Sequence, residues 1–240
     1  MKLHIHKKSR NNYLQLTFIS LILIASCINS YAQDVGKTKN NWLKLGLDYG
    51  LSYTNPAEVN NQIGSWLIST TPVANYNFWK EIHLGFAGNA YASITILKLF
   101  EIRSQYGFSN APYFMLTEKA KIFNINIIYE TLGLSSSFHL GRFEIGGGVD
   151  KYYSRINWID ESFNFSDSWK GNTLGYNFFI GIDRNKSKHK GVTYTLLYRN
   201  ATVNQLINEN NHIVKNVKDN TDVALNLSGL ELKIGLFFGF

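Results

Sequence analysis

The sequence predicts an all-β protein, namely an eight-stranded antiparallel up-and-down transmembrane β-barrel. Apolar residues occupy every second position over long stretches, aromatic residues gather near the predicted strand ends, and short connections alternate with long ones. Alternation gives a strand one apolar face, because successive side chains point to opposite sides. The stretches match the roughly 9 to 11 residues of a tilted membrane strand better than the about 5 to 6 of an average soluble strand.

The first 32 residues are predicted to be a signal peptide that is cleaved off. Four basic residues and no acidic residue lie in residues 1–12, and the mostly apolar run that follows, residues 13–25, is shorter than the roughly 20 residues of a membrane-spanning helix. Ser30-Tyr31-Ala32 places small residues at the positions that a signal peptidase reads, so cleavage is expected before Gln33. Residues 33–41 then form a short periplasmic segment, and residues 42–240 form the barrel.

Cys27 leaves a second possibility open for the N-terminus. Ile24-Ala25-Ser26-Cys27 resembles a lipobox, in which the cysteine becomes the lipidated first residue. A membrane barrel does not need such a lipid to stay in the membrane. With cleavage after Ala32 the mature chain has no cysteine, which excludes disulfides, thiolate metal sites and a cysteine nucleophile.

The charge of the chain indicates export more than nucleic-acid binding. The whole sequence has 24 basic and 17 acidic residues, a net charge of +7. Loss of the four basic residues of the signal peptide leaves 20 against 17, or +3. A net charge this small gives no reason to expect a nucleic-acid partner. No zinc, phosphate-loop or dinucleotide motif occurs in the sequence, so neither a cofactor nor a metal is expected.

Eight strands are predicted along the chain. They cover residues 43–53, 66–78, 82–94, 122–140, 143–149, 174–182, 192–198 and 230–240. In the fourth strand the apolar parity changes near Ile128, which we interpret as a β-bulge. The run Gly146-Gly147-Gly148 lies in an alternating stretch, so it is expected to mark close strand packing or a bend.

The predicted connections alternate in length. Short turns are expected near Trp79, Gly141 and Lys188, and long polar links around residues 56, 105, 165 and 210. Bacterial membrane barrels have short periplasmic turns and long external loops, and an even strand number places both termini in the periplasm. Two aromatic girdles are expected. One consists of Trp42, Phe78, Trp79, Phe143 and Phe240, and the other of Tyr53, Trp66, Tyr153, Trp158 and Trp169.

A soluble barrel or sandwich is the alternative fold. Its apolar parity would face inward, with small or polar residues in water. The long strands, the signal peptide and the two aromatic belts together favour the membrane barrel.

The C-terminal residues 230–240 resemble the β-signal by which the barrel-assembly machinery recognises outer-membrane proteins. A terminal aromatic residue follows apolar residues at alternate positions, here Leu232, Ile234, Leu236, Phe238 and Phe240. Tyr31-Ala32-Gln33 resembles signal-peptide ends common in Bacteroidetes. The mature region resembles the small outer-membrane β-barrel families of that phylum, including the PorT-like proteins. The resemblance implies an integral outer-membrane location, and the PorT-like name implies an accessory role in type IX-like secretion.

The opposite parity of the strands is predicted to line the lumen with a polar network. Eight strands leave room only for side chains or one small ligand, and buried charges persist only when they are paired. A diffusion pore is therefore not expected. Glycines on this face have two alternative roles: they leave room for a narrow binding cavity, or they relieve the curvature of a small barrel. Barrel closure suggests that Lys44 and Asp48 pair with Glu231 and Lys233. The predicted network consists of Lys44, Asp48, His83, Asn89, His139, Glu144, Asp150, Asn177, Asp183, Arg199, Glu231 and Lys233.

These observations predict a non-enzymatic barrel whose external loops, residues 96–119 and 200–220, contact a partner in the envelope. Its other expected partners are outer-membrane lipid, lipopolysaccharide and, during biogenesis, the barrel-assembly machinery. A small-ligand binding or transport barrel is an alternative. So is a lipid A-modifying acyl hydrolase built on Ser135, Ser137, His139 and His83. Since the histidine-x-serine-asparagine pattern of those enzymes is absent, no catalytic residue is predicted.

Overall fold

The computed structural model describes residues 42–70, 82–96, 99–116, 122–161, 164–187, 189–216 and 219–240. Its elements are β1 (Leu43–Thr54), α1 (Ala57–Thr70), β2 (Leu84–Ile96), β3 (Phe100–Leu116), β4 (Ile122–Leu140), β5 (Phe143–Asp160), β6 (Phe165–Ser187), β7 (Lys190–Asn200), β8 (Thr202–Val203), β9 (Leu225–Asn226) and β10 (Gly229–Gly239).

Eight of these strands close into an antiparallel barrel, so the predicted fold class is confirmed. The order around the ring is β1-β10-β7-β6-β5-β4-β3-β2. Closure pairs β1 with β10 from Lys44 opposite Gly239 to Thr54 opposite Gly229. None of the helical residues described forms a helix long and apolar enough to cross a membrane.

The predicted strand faces are also those of the structure. In β1, Leu47 is 67% exposed on the outside, whereas the neighbouring Asp48 is 6% exposed on the inside. The same alternation runs through β2 and β10, where Phe86 and Leu236 point outward. Apolar side chains therefore form a continuous outer belt around the barrel, and polar side chains fill its interior.

The second predicted strand, residues 66–78, is wrong over residues 66–70. Residues 57–70 form α1, and residues 71–81, including the predicted turn at Trp79 and the girdle residue Phe78, lie outside the described residues. Val59 and Ile63 are fully buried at a spacing of four residues, which places them on one face of a helix. Glu58 lies in the first turn, where an acidic residue is favourable.

The missing eighth strand is β3, in a segment predicted to be a long loop. Ile102, Tyr106 and Phe108 point outward, while Glu101 and Arg103 point inward. The predicted external loop 96–119 is therefore a barrel strand over most of its length. The long link expected around residue 165 is likewise a short connection, because β5 ends at Asp160 and β6 begins at Phe165.

The barrel has two different rims. One end of the barrel, which we call the turn rim, carries the short connections 97–99, 141–142 and 188–189 together with residues 42 and 240. Gly141 at this rim adopts a φ of +67°, which favours glycine. The opposite end, which we call the cap rim, carries the link 55–83 and the 28-residue link 201–228. The second link contains most of the predicted loop 200–220.

Strands β3 to β6 continue beyond the cap rim, and there their two faces exchange character. On β4, Ile125 and Ile127 point inward and are buried, whereas Leu132 and Leu134 point outward closer to the turn rim. Registers with β3 and β5 are continuous through Ile128, so the predicted bulge is wrong. The parity change in the sequence marks this exchange of faces.

The extended strands, α1 and the link 201–228 enclose a second core, and we call this whole part of the protein the cap. Val59 and Ile63 of α1, Leu206 and Leu225 of the link 201–228, and Ile125 of β4 are among its fully buried members. The link also carries the small sheet β8–β9 and a Lys215–Asp222 ion pair. A hydrogen bond from Lys215 holds the pKa of Asp222 below its usual range.

The two predicted aromatic girdles are only partly correct. Trp42 and Phe240 are exposed at the turn rim, and Tyr53 and Tyr153 are exposed at the other end of the apolar belt. Trp158 and Trp169 instead pack edge to face inside the cap, with ring centroids 5.7 Å apart. Trp66 lies in α1.

Candidate functional site

Two charged clusters fill the barrel interior. The lower lumen cluster lies near the turn rim and consists of Lys44, Glu101, Arg103, His139, Glu144 and Asp183. The upper lumen cluster lies below the cap and consists of Gln105, Tyr129, Asp150, Asn177, Arg199, Glu231 and Lys233.

Arg103 is the centre of the lower lumen cluster. Its Nη2 lies 3.0 Å from Glu101 Oε1 and 2.8 Å from Glu144 Oε1, so one guanidinium neutralises two carboxylates. Its Cζ lies 4.4 Å from the ring centroid of Tyr91 and 5.3 Å from that of Phe179, within the range of cation–π attraction. The Arg103 side chain is 8% exposed, so these partners replace its hydration.

Lys44 and His139 complete the lower lumen cluster. Lys44 Nζ lies 2.9 Å from both Glu101 Oε2 and Asp183 Oδ2, and His139 Nε2 lies 2.9 Å from Glu101 Oε2. The predicted pairing of Lys44 with Glu231 is therefore wrong. The prediction placed Lys44 correctly beside β10, but it lacked β3, which brings Glu101 to Lys44.

Arg199 and Lys233 neutralise Glu231 in the upper lumen cluster. Both form ion pairs with Glu231, whose Oε1 also accepts a 2.9 Å hydrogen bond from the Tyr129 hydroxyl. Arg199 further donates a 3.0 Å hydrogen bond to Ser52 Oγ. All of these side chains are almost fully buried, so their ionic contacts are shielded from water.

The carboxylate of Asp150 is held by amide groups. Gln105 Nε2 donates to its Oδ1 at 2.9 Å, and Asn177 Nδ2 donates to its Oδ2. Asp48 similarly accepts a 3.1 Å hydrogen bond from Thr193 Oγ1. These bonds fix the two carboxylates on the inner wall.

The remaining predicted lumen residues are Asn89 and His83. Asn89 points inward, and with its side-chain amide rotated its oxygen accepts a hydrogen bond from Lys233 at 2.8 Å. His83 lies at the cap rim, where Nδ1 is 3.0 Å from the Thr54 carbonyl oxygen and its ring stacks on Tyr53. The structure thus places eleven of the twelve predicted residues on the inner wall and His83 at its edge.

Sequence reasoning missed Glu101, Arg103 and Gln105, because their segment was predicted to be a loop. Ile102, Tyr106 and Phe108 have the alternation of an outer strand face and could have identified the strand. The polar Ser104 lies on the same face between Ile102 and Tyr106 and obscures this pattern.

A small cavity remains between the upper lumen cluster and the cap. Its volume of about 20 Å³ gives room for one or two water molecules. Its walls include Asp150, Arg199, Glu231 and Lys233. Within the described residues, the lumen is therefore filled by side chains instead of forming a wide channel.

Glu101, His139 and Glu144 bring possible metal-ligating atoms within 4.8 Å of one another. However, Arg103 and Lys44 already neutralise these carboxylates, and a divalent cation would lie against both of them. The donor set is therefore that of an ion-pair network.

The candidate catalytic residues do not form a nucleophile–base pair in the described contacts. Ser137 Oγ donates a 2.7 Å hydrogen bond to Glu144, while His139 contacts Glu101. Ser135 and Ser137 are buried in the lumen, away from the apolar belt. His83 lies at the other end of the barrel.

The fold and the filled lumen together define a small closed β-barrel with an apolar outer belt. Neither a family model nor a curated protein matches the sequence. Among solved structures, Ail, the attachment invasion locus protein of Yersinia pestis, determined with the heparin analogue sucrose octasulfate, is similar at 8% identity and a TM-score of 0.50. The alignment covers 84% of this chain and 100% of Ail.

Two further structures are similar at lower scores. OprG, an outer membrane protein from Pseudomonas aeruginosa, is 10% identical with a TM-score of 0.46, covering 84% of this chain and 97% of OprG. A major outer membrane protein from Thermus thermophilus is 12% identical with a TM-score of 0.47, covering 82% and 99%. At these identities, the likeness to Ail shows the fold alone: the chain has the fold of small outer-membrane barrels.

Proposed function

We propose that this protein is an integral outer-membrane barrel that does not catalyse a reaction and does not conduct solutes. Its function is to hold the cap at the cell surface, where the cap contacts a partner in the envelope or outside the cell. The observation that carries this proposal is the exchange of faces along β3 to β6. Apolar residues face outward where lipid would surround the barrel, and they face inward where water would surround the cap.

The filled lumen supports the non-conducting part of the proposal. The space beside Arg199 and Glu231 accommodates water but no larger solute. Any solute would also have to break the ion pairs of both lumen clusters, which are largely removed from water. The small-ligand transport alternative lacks a comparable observation in its favour.

Cap orientation can be tested by labelling single cysteines on intact cells. Asn210→Cys lies in the exposed link of the cap, and Arg184→Cys is exposed near the turn rim. The only native cysteine, Cys27, lies in the predicted signal peptide. A membrane-impermeant maleimide is expected to label the Asn210→Cys variant directly and the Arg184→Cys variant only after permeabilisation. The reverse pattern would place the cap in the periplasm and contradict the proposal.

Assembly can be tested at the C-terminus. Phe240 is exposed on the outer face, and its backbone closes the barrel by accepting a 3.0 Å hydrogen bond from Trp42 and donating a 2.9 Å bond to Leu43. Phe240→Ala is expected to reduce heat-modifiable, membrane-inserted protein several-fold while leaving export unchanged, because it damages the predicted assembly signal. Ile213→Ala, an exposed apolar truncation in the cap, is the control. Normal insertion of Phe240→Ala would argue against the signal.

The PorT-like resemblance supports a narrower version of the proposal, in which the envelope partner belongs to a type IX-like secretion machinery. Crosslinking through the cysteine of the Asn210→Cys and Arg184→Cys variants, followed by purification, would show which end of the barrel contacts such a partner. Crosslinking only near the turn rim would favour the accessory role over a surface partner.

A further inference from the structure

Three basic residues lie along the outer face of β5 and β6, where the apolar belt gives way to the cap. They are Lys151 and Arg155 on β5 and Lys170 on β6. Arg155 and Lys170 are directly opposite each other in the register of the two strands, and both are exposed. We call these three residues the basic cluster.

The pair within the basic cluster is unfavourable unless an anion is present. Like charges directly opposite in an antiparallel pair destabilise a sheet. Among the residues that the structure describes, no carboxylate forms an ion pair with Arg155 or Lys170. Glu130, on the neighbouring β4, hydrogen-bonds to Tyr106 on its other side, and Glu209 in the link 201–228 is exposed without an ion pair to Lys170.

Lys151 fixes the depth of the basic cluster. It lies in one row with Leu132 and Leu174, which are 57% and 67% exposed in the apolar belt. Its Nζ extends toward the cap, donating a 2.7 Å hydrogen bond to Asn172 Oδ1 and lying 6.0 Å from the Tyr153 ring centroid. A lysine that extends its ammonium away from an apolar layer marks the edge of that layer.

Arg155 and Lys170 lie just beyond this edge, which is the level of the headgroups when lipid surrounds the apolar belt. The aromatic Tyr153 between Lys151 and Arg155 is 53% exposed, as expected of a residue at the membrane interface. The polar outer positions farther along the same strands, such as Ser166, belong to the cap. The basic cluster therefore faces a layer that contains the charged groups of lipids.

We propose that the basic cluster binds the phosphate groups of a phosphorylated glycolipid in the outer leaflet. An arginine guanidinium can bind phosphate oxygens with two parallel hydrogen bonds, and a lysine adds a point charge beside it. A bound phosphate would convert the repulsion between Arg155 and Lys170 into a shared attraction. The inference rests on the proposed function in one respect, since it requires the cap to be on the outer side of the membrane.

The test compares the full mature protein with an Arg155→Gln/Lys170→Gln variant in nanodiscs. The discs contain zwitterionic phospholipid alone or with bisphosphorylated lipid A, and bound lipid A is counted by native mass spectrometry. The control, Arg184→Gln/Lys190→Gln, removes the same charge from exposed positions near the turn rim. Neutralising Arg155 and Lys170 is expected to weaken lipid A binding at least tenfold, whereas the control is expected to leave it unchanged.

The unfolding temperature, measured by the gel mobility shift, provides a second readout. The difference between variant and wild type is expected to change direction when lipid A is added. Without an anionic lipid, the Arg155→Gln/Lys170→Gln variant is expected to unfold at a higher temperature than the wild type, because the like-charge repulsion is gone. With lipid A, it is expected to gain less stability than the wild type. A variant that merely folds poorly would be less stable under both conditions.

Two outcomes would overturn the proposal. One is equal retention of lipid A by the wild type and the Arg155→Gln/Lys170→Gln variant. The other is displacement of lipid A by millimolar inorganic phosphate, which would assign the basic cluster to a free anion. Membrane fractionation of the same proteins tests the outer-membrane location separately, so a failure of lipid binding is distinguishable from a failure of the proposed function.

Discussion

Replacing Arg103 with methionine is expected to destabilise the folded barrel by about 3 to 5 kcal/mol. The variant leaves Glu101 and Glu144 buried in the lumen without the guanidinium that contacts both. Lys44 remains beside Glu101, but Glu144 keeps only the hydrogen bond from Ser137 among the contacts described for it. The free energy of unfolding can be measured by urea titration in lipid vesicles, followed by tryptophan fluorescence and the gel mobility shift.

Two controls separate the loss of the ion pairs from the loss of a bulky side chain. Arg184→Met changes an exposed arginine near the turn rim and is expected to have little effect. Arg103→Met/Glu144→Gln also removes the charge of Glu144, the carboxylate that loses its described ion pair in Arg103→Met, so it is expected to recover part of the lost stability. If Arg103→Met unfolds at the wild-type urea concentration, the lower lumen cluster does not stabilise the barrel.

The second large loss of stability is expected when a charge is placed on the apolar outer belt. Leu47 lies near the middle of β1, is 67% exposed, and is opposite Ala90 and Leu236 on the neighbouring strands. We expect Leu47→Arg to destabilise the barrel by about 2 to 4 kcal/mol, the range for a basic residue at the bilayer midplane of a membrane barrel. The same titration in vesicles measures the change.

Ser166→Arg is the matched control for Leu47→Arg. Ser166 is exposed on the outer face of β6 within the cap, where the proposed surroundings are water. Its replacement is expected to be nearly neutral. A similar loss of stability in both variants would mean that the apolar belt and the outer face of the cap have the same surroundings.

The sequence alone predicts the parts of the barrel where alternation is regular. β1 and β10 have uninterrupted alternation, and both their bounds and their outward faces agree closely with the structure. β3 was missed because Ser104 interrupts its outer apolar face. Residues 66–70 were predicted as strand although Val59, Ile63 and Trp66 also have helical spacing.

The lumen residues could be predicted individually, but not their partners. Parity decides which way a side chain points, so Lys44, Glu144 and Arg199 were placed on the inner wall from their neighbours alone. Which carboxylate meets which cation depends on the stagger between strands that are distant in sequence. Glu101 and Lys44 are an example, since they meet across the lumen from strands that are not adjacent.

The uninterrupted passage of β3 to β6 from the turn rim into the cap has a mechanical consequence. β4 and β5 pair without a break from Leu140 opposite Phe143 to Phe123 opposite Asp160. A force that pulls the cap away from the barrel acts along these strands, so it loads many backbone hydrogen bonds in shear at once instead of opening them one by one. Because β3 to β6 run from the barrel into the cap without an intervening loop, tension along this path is carried by a short, stiff sheet instead of a flexible connection.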